Sequence, residues 1–165
     1  MLRSERVAEA DDQPRTVHLS DERTDIGWEV YPDALRTVLG RVHRDYAPPA
    51  IFITENGAAY DTAPDEHGRV HDIERQRFLH SHLAAALDAC REGAPVVGYF
   101  VWSLLDNYEW QEGYRKRFGI VWVDFTTQER VLKQSATLYR AIIADHALPA
   151  VDPHAAFGRR RVLQR

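Results

Sequence analysis

IFITENGAAYDT, residues 51–62, admits two readings that lead to different folds. Ile51–Thr54 holds three β-branched residues and Phe52 and follows the Pro48-Pro49 stop, which is a strand signature. The Asn56-Gly57 dipeptide that comes next is a strong short-range signal for a two-residue hairpin. On that reading Glu55 is the polar end of a strand, and AAYDT returns as its antiparallel partner. The other reading ends a parallel strand at Glu55, whose carboxylate then stands at the C-terminal tip, where α/β proteins place their chemistry.

The flanking segments bear on the choice. GWEVYPDALRTVLGRVHRDY predicts a helix: Pro32 suits its first turn, and Leu35, Val38, Leu39, Val42 and Tyr46 recur at helical spacing. A second helix is expected from Asp72 or Ile73 to about Glu92, with Leu79, Leu83, Ala86, Leu87 and Cys90 as its apolar face and Gly93 beyond its end. The run Val96–Leu105, apolar except for Gly98 and Ser103, predicts a strand buried on both faces. FGIVWVDF reads as a shorter strand. A last helix spans about Ser135 to His146, with Leu138, Tyr139, Ile142 and Ile143 inside. Strand, crossover helix and strand make a βαβ unit of the α/β class, with the two strands parallel. AAYDT also runs on into APDEHGRV, a series of turn formers, so Glu55–His71 reads as a long βα loop. Spacing favours the strand-tip reading and leaves the hairpin open.

A second long loop, Ser103–Gly119, leaves the neighbouring strand at the same end. The two loops together would line a pocket with Glu55, Asp106, Glu109 and Glu112 and with Trp102, Tyr108, Trp110, Tyr114 and Phe118. Carboxylates accept paired hydroxyl hydrogen bonds and aromatic faces pack on apolar C–H faces, so such a pocket suits a neutral polyhydroxylated ligand. The same residues are equally compatible with buried aromatics and solvated acids.

The 165-residue chain is 44% hydrophobic and 28% charged, with a net charge of −4, which gives no reason to expect nucleic acid or a membrane surface as partner. Its single cysteine, Cys90, cannot form an internal disulfide and is expected as a buried small side chain. No apolar run approaches a membrane span and MLRSERVAEADDQPR has no apolar h-region, so the expected location is cytoplasmic. His80 and His82 point apart on a helix and make no metal site. No Gly-rich phosphate loop is present, and no cofactor is expected. Residues 1–23 read as a polar, linker-like segment, 24–149 as the folded part, and 150–165 as a basic tail expected to be disordered.

ITENGAAYD, GRVHDIERQRFLHSHLAAAL, GYFVWSLLDNYEWQEGYRKRFGIVWVDF and LKQSATLYRAII, taken in order, strongly resemble the C-terminal part of the family 1 glycoside hydrolases, the β-glucosidases. TDIGWEVYPDAL resembles the segment before the seventh barrel strand of that family, so the resemblance covers roughly residues 24–149. It implies the C-terminal portion of a (β/α)₈ TIM barrel, about its last two βα units, and a retaining β-glucosidase acting on a β-glucoside or related small carbohydrate. By resemblance Glu55 matches the nucleophile. Glu109 and Trp110 match the pair that hydrogen-bonds the sugar hydroxyls, Trp102 the platform under the sugar and Phe118 the pocket wall. Trp28 matches a residue bordering the aglycone side.

Retaining hydrolysis needs a second carboxylate as acid/base, about 5–5.5 Å from the nucleophile. In the family it lies in an Asn-Glu-Pro motif on the fourth strand, and no Asn-Glu-Pro occurs in this sequence. A (β/α)₈ barrel takes ~250 residues, so this length does not close one. Three accounts follow: a truncated or split product inactive alone, one half of a complementing pair needing an N-terminal barrel fragment, or a self-standing sugar-binding module. The first is preferred.

Overall fold

The computed structural model describes residues 19–149. The expected basic tail, and most of the expected N-terminal linker, lie outside the described residues. The elements are α1 (Pro32–Tyr46), β1 (Ile51–Asn56), α2 (Ile73–Arg91), β2 (Val96–Val101), β3 (Val121–Val123), β4 (Arg130–Leu132) and α3 (Gln134–Asp145), with one turn of 3₁₀ helix at Trp110–Glu112.

The hairpin reading of Asn56-Gly57 is excluded. β1 and β2 pair in parallel, with Ile51 opposite Val96, Phe52 opposite Gly98, Ile53 opposite Tyr99 and Asn56 opposite Val101. α2 is the crossover, and AAYDT returns along no strand. α1 opens on Pro32, whose missing N–H would have no partner in a first turn, and closes where Ala47 turns left-handed and donates to the His43 carbonyl at 2.9 Å.

Both long helices cover one face of the two-stranded sheet. Leu39 of α1, Ile53 of β1 and Ala86 and Ala89 of α2 form one core cluster with Ala94, against which Leu35, Ile51, Val96 and Tyr99 pack. Alanines on α2 let the helix approach the strands closely, so its apolar face is narrower than the spacing predicts; Leu87 at its margin is exposed. On α1, Val38 and Tyr46 are likewise exposed. A second cluster at the strand tips joins Val30, Ala58, Tyr60, Phe78, Leu79 and Ile120, with Tyr139 of α3 packed against it.

The expectation that the second strand is buried on both faces is corrected. Phe52 is 58% exposed and Phe100 56%, and Phe52 lies across Gly98, where an added Cβ would meet its ring at 2.6 Å. Apolar content reports what a strand face needs, not what covers it. Among the described residues, no layer lies over this side of the sheet, and no further strand pairs with either edge. The strand also ends at Val101, four residues short of the apolar run's end, because the chain then turns to form the second loop. The expected short strand is observed as β3, and it pairs antiparallel with β4, which the sequence does not signal.

Phe100→Ser is expected to change the unfolding free energy by less than about 1 kcal/mol, whereas Leu79→Ala, at a fully buried position, should cost about 2–5 kcal/mol. Urea denaturation of the two variants checks the assignment of faces. Loss of an exposed aromatic should also reduce self-association in size-exclusion chromatography.

Candidate active site

Glu55 is the penultimate residue of β1 and its side chain is exposed. The next residue ties the tips of the two parallel strands together. The Asn56 carbonyl accepts the Trp102 N–H at 3.0 Å, and its side-chain Oδ1 accepts the Tyr99 hydroxyl at 2.6 Å. Burial pushes the Tyr99 phenol well above its ordinary range, so it stays a donor. Gly57 lets the backbones touch: a Cβ there would sit 1.7 Å from the Trp102 carbonyl oxygen. The nucleophile candidate and the platform candidate thus stand on adjoining strand ends. Trp102 is 36% exposed, and the Trp102–Ser103 peptide is cis.

The second loop folds back onto this tip. Ser103 N–H donates to the Phe118 carbonyl at 3.1 Å, and Ile120 N–H to the Ser103 carbonyl at 2.9 Å. Farther out, Glu109 and Gly113 close a tight turn, with Glu109 N–H donating to the Gly113 carbonyl at 2.7 Å. Trp110 projects from that turn, 83% exposed, and Glu109 is half-buried. Phe118 is buried, and its ring lies 5.8 Å from that of the exposed Trp28. Trp28 also lines a cleft of about 450 Å³ that reaches Asn56 and Gly57 from the helix side, with Leu35, Phe78 and His82. The structure therefore sets Glu55 and Trp102 on adjoining strand ends, brings the Trp28 and Phe118 rings together, and sets Glu109 and Trp110 on the distal turn of the loop.

One expected pocket carboxylate is reassigned. Asp106 is buried rather than pocket-facing: one oxygen accepts Lys133 Nζ and Gly119 N–H, both at 2.9 Å, and the other accepts Arg117 Nη1 at 2.9 Å. Glu112 pairs with Arg115 at 3.3 Å. Tyr108 and Tyr114 pack edge to face at 5.3 Å and both stay exposed, a wall of the loop rather than part of a core.

Sequence reasoning misses the buried charges that hold the loops. Arg75, on the first turn of α2, is 1% exposed. Its Nε donates to Asp72 at 3.0 Å. Nη2 donates to the carbonyls of Tyr60 at 2.8 Å and Arg117 at 2.9 Å, and Nη1 to those of Phe118 at 3.2 Å and Ala58. Asp72 also accepts the Ser135 N–H at 2.9 Å and hydroxyl at 2.5 Å, which anchors the start of α3. Only the i, i+3 spacing of Asp72 and Arg75 hints at this, and it is a common surface pattern.

With the geometry described, comparison with known proteins places it. The model of the family described as Glycosyl hydrolase family 1 matches residues 3–148. The chain belongs to that family. It is 49% identical over 126 residues to Beta-glucosidase A of Thermotoga maritima, covering 76% of this chain and 28% of that protein. It is 48% identical over 124 residues to a β-glucosidase of Agrobacterium, covering 75% and 27%. Against a bifunctional β-D-glucosidase/β-D-fucosidase of Bifidobacterium breve the identity is 45% over 128 residues, covering 75% and 28%. The family 1 β-glucosidase of Thermotoga maritima in complex with isofagomine lactam superposes with a TM-score of 0.78 at 48% identity, covering 80% of this chain and 30% of that one. Its complex with deoxynojirimycin gives 0.78 at 47%, covering 81% and 30%. The chain thus spans under a third of the length of these relatives. Its fold is a portion of the family's TIM barrel, and among the described residues that barrel is not closed.

Two outcomes test the tip and its support. Gly57→Ala should cost at least about 2 kcal/mol in urea denaturation, because the clash is with backbone and cannot be relieved by a rotamer change. Burial holds the Lys133 ammonium down, from an ordinary 10.5 to about 8. The folded chain therefore releases this proton more readily than the unfolded one, and Lys133's contribution to stability rises with pH between about 8 and 10.5. The stability difference between the unmodified chain and Lys133→Met should follow that rise across the window.

Proposed function

We propose that the chain carries the nucleophile half of a retaining β-glucosidase site, with Glu55 as the nucleophile. The observation that carries this is the exposed Glu55 carboxylate on a strand tip tied through Asn56 to the Trp102 strand. In this reading a β-glucoside lies on the Trp102 ring, and Glu109 and Trp110 bind its hydroxyls. Phe118 walls the pocket, and Trp28 faces the aglycone. A Glu55 oxygen attacks C1 and forms a glycosyl ester as the C1–O bond to the leaving group breaks. Water then opens the ester. Neither step needs a metal or cofactor.

The first step needs a proton for an ordinary leaving group, and the second needs a base for water. Asp106 is buried in ion pairs, Glu112 is paired with Arg115, and Glu109 is assigned to the sugar. In this reading the acid/base belongs to the Asn-Glu-Pro motif of the N-terminal portion of the family barrel, which this sequence does not contain, and is supplied in the same polypeptide or by a separate fragment. Without it the chain is inactive toward unactivated glycosides. The exposed Trp102 and Trp110 also suit another reading, a module that binds sugar without cleaving it.

An activated fluorosugar separates the two. 2,4-Dinitrophenyl 2-deoxy-2-fluoro-β-D-glucoside loses its phenolate without a proton, so attack by Glu55 should leave a fluoroglucosyl adduct on that residue, read by peptide mass spectrometry. Glu55→Gln should remain unlabelled. p-Nitrophenyl β-D-glucoside should turn over no faster than with Glu55→Gln. An unlabelled Glu55 at saturating reagent rejects the nucleophile assignment.

A further inference from the structure

We propose that Arg75 is a positioning residue for this site, a clamp that sets the spacing between the loop following Glu55 and the loop that carries the sugar-binding side chains. The proposal rests on the assignment of Glu55 as nucleophile and extends it to a residue that touches neither sugar nor Glu55.

A guanidinium has five N–H donors in a rigid planar fork. All five are used here. One goes to Asp72 on the same helix, and the other four go in pairs to the two loops: Ala58 and Tyr60 on the first, Arg117 and Phe118 on the second. Each Nη nitrogen bridges one carbonyl from each loop. The spacing between the loops is therefore the spacing set by one planar group, which has no soft torsion within it. The Tyr60 ring lies under the guanidinium with its centroid 5.6 Å away, adding a cation–π contact from the first loop.

The clamp reaches the chemistry by short covalent and hydrogen-bonded paths. Ala58 is three residues from Glu55, with Gly57 pressed on the Trp102 carbonyl between them. The Phe118 carbonyl is shared by Arg75 and the N–H of Ser103, the residue after Trp102. One side chain therefore holds both the continuation of the nucleophile strand and the backbone beside the platform. Tyr60 N–H also donates to the Arg117 carbonyl at 3.2 Å, so the loops meet at the same place the clamp grips. A lysine has three donors at a point and cannot bridge four carbonyls. It would keep the charge opposite Asp72 and lose the spacing.

If Arg75 positions, its loss should slow attack more than it weakens binding, because Glu109, Trp110 and Trp102 still meet the sugar while Glu55 is displaced. The experiment measures labelling of Glu55 by 2,4-dinitrophenyl 2-deoxy-2-fluoro-β-D-glucoside as a function of reagent concentration, in the whole chain and in Arg75→Lys. The expected result is a maximal labelling rate lowered at least about tenfold, with the half-saturating concentration shifted less than about threefold. Amide exchange should accelerate in residues 57–60 and 117–119 and stay unchanged in residues 51–54. An unaltered rate with unaltered loop exchange overturns the clamp, and so does a change confined to half-saturation. If the unmodified chain is not labelled at all, the nucleophile assignment fails, and loop exchange in Arg75→Lys alone decides the clamp. If Arg75→Lys loses cooperative unfolding, the unmodified chain decides it by NMR. Slowly exchanging, resolved Arg75 Nη protons with cross-peaks to both Tyr60 and Phe118 support the clamp, and a single averaged signal overturns it.

Discussion

The interaction on which the rest of this structure depends is a buried guanidinium shared between backbone carbonyls. Taking a cation out of water is costly, and it is tolerated where every donor is paired and an anion sits beside it. Arg75 meets both conditions, with Asp72 as the anion and four carbonyls as the remaining acceptors. Those carbonyls lie in loops outside the helices and strands; Arg117 and Phe118 each accept one backbone N–H as well, and Arg75 supplies the second donor. Desolvation pulls the guanidinium's proton affinity down while Asp72 pulls it up, and an arginine remains charged throughout. Asp106 has the mirrored role nearby, as an anion held by Lys133, Arg117 and a backbone N–H. Gly119 is forced by that arrangement, since a Cβ there would lie 2.2 Å from the Asp106 nitrogen.

This polar interior explains why so small a two-stranded sheet carries two long, ordered loops. The apolar clusters lie between sheet and helices and at the strand tips, but they do not reach the outer loop. What fastens the outer loop is the Asp106 hub and the carbonyls given to Arg75. The opposite sheet face has no such support: Phe52 and Phe100 remain in solvent, and both strand edges are free among the described residues. Among the described residues the helical side of the sheet is covered and the opposite side is open.

How far the sequence predicts this depends on the range of the cause. β1 is legible because Ile51, Phe52 and Ile53 carry their preference locally, and α2 because its alanine and leucine spacing ends at a glycine. β4 is not legible: Arg130–Leu132 is three residues long, two of them exposed, and it exists because β3 offers an edge. Asp106 looks like a pocket acid by its position among aromatics. Its true role depends on Lys133, 27 residues away, and no local pattern joins the two. The faces of β2 are misjudged from sequence because apolar content cannot tell which side a missing layer would cover. The candidate site is legible by residue mainly through the resemblance, since exposure and strand-tip position alone do not distinguish a nucleophile from a solvated acid.

The role proposed for Glu55 has a geometric consequence. The relation of Glu55 to Trp102 is set by contacts inside the described residues: the Asn56 bridge, the Gly57 approach and the loops gathered on Arg75. None of these needs the barrel to close. On the proposed role of Glu55, its separation from an acid/base would be different in kind, because retaining chemistry requires the two carboxylates ~5 Å apart and only a full ring of strands fixes that distance. A barrel glycosidase on this plan thus builds its site from two independent geometric constraints. One is local and is satisfied by two strands, two helices and a buried arginine. The other is global and is satisfied only when the remaining strands are in place.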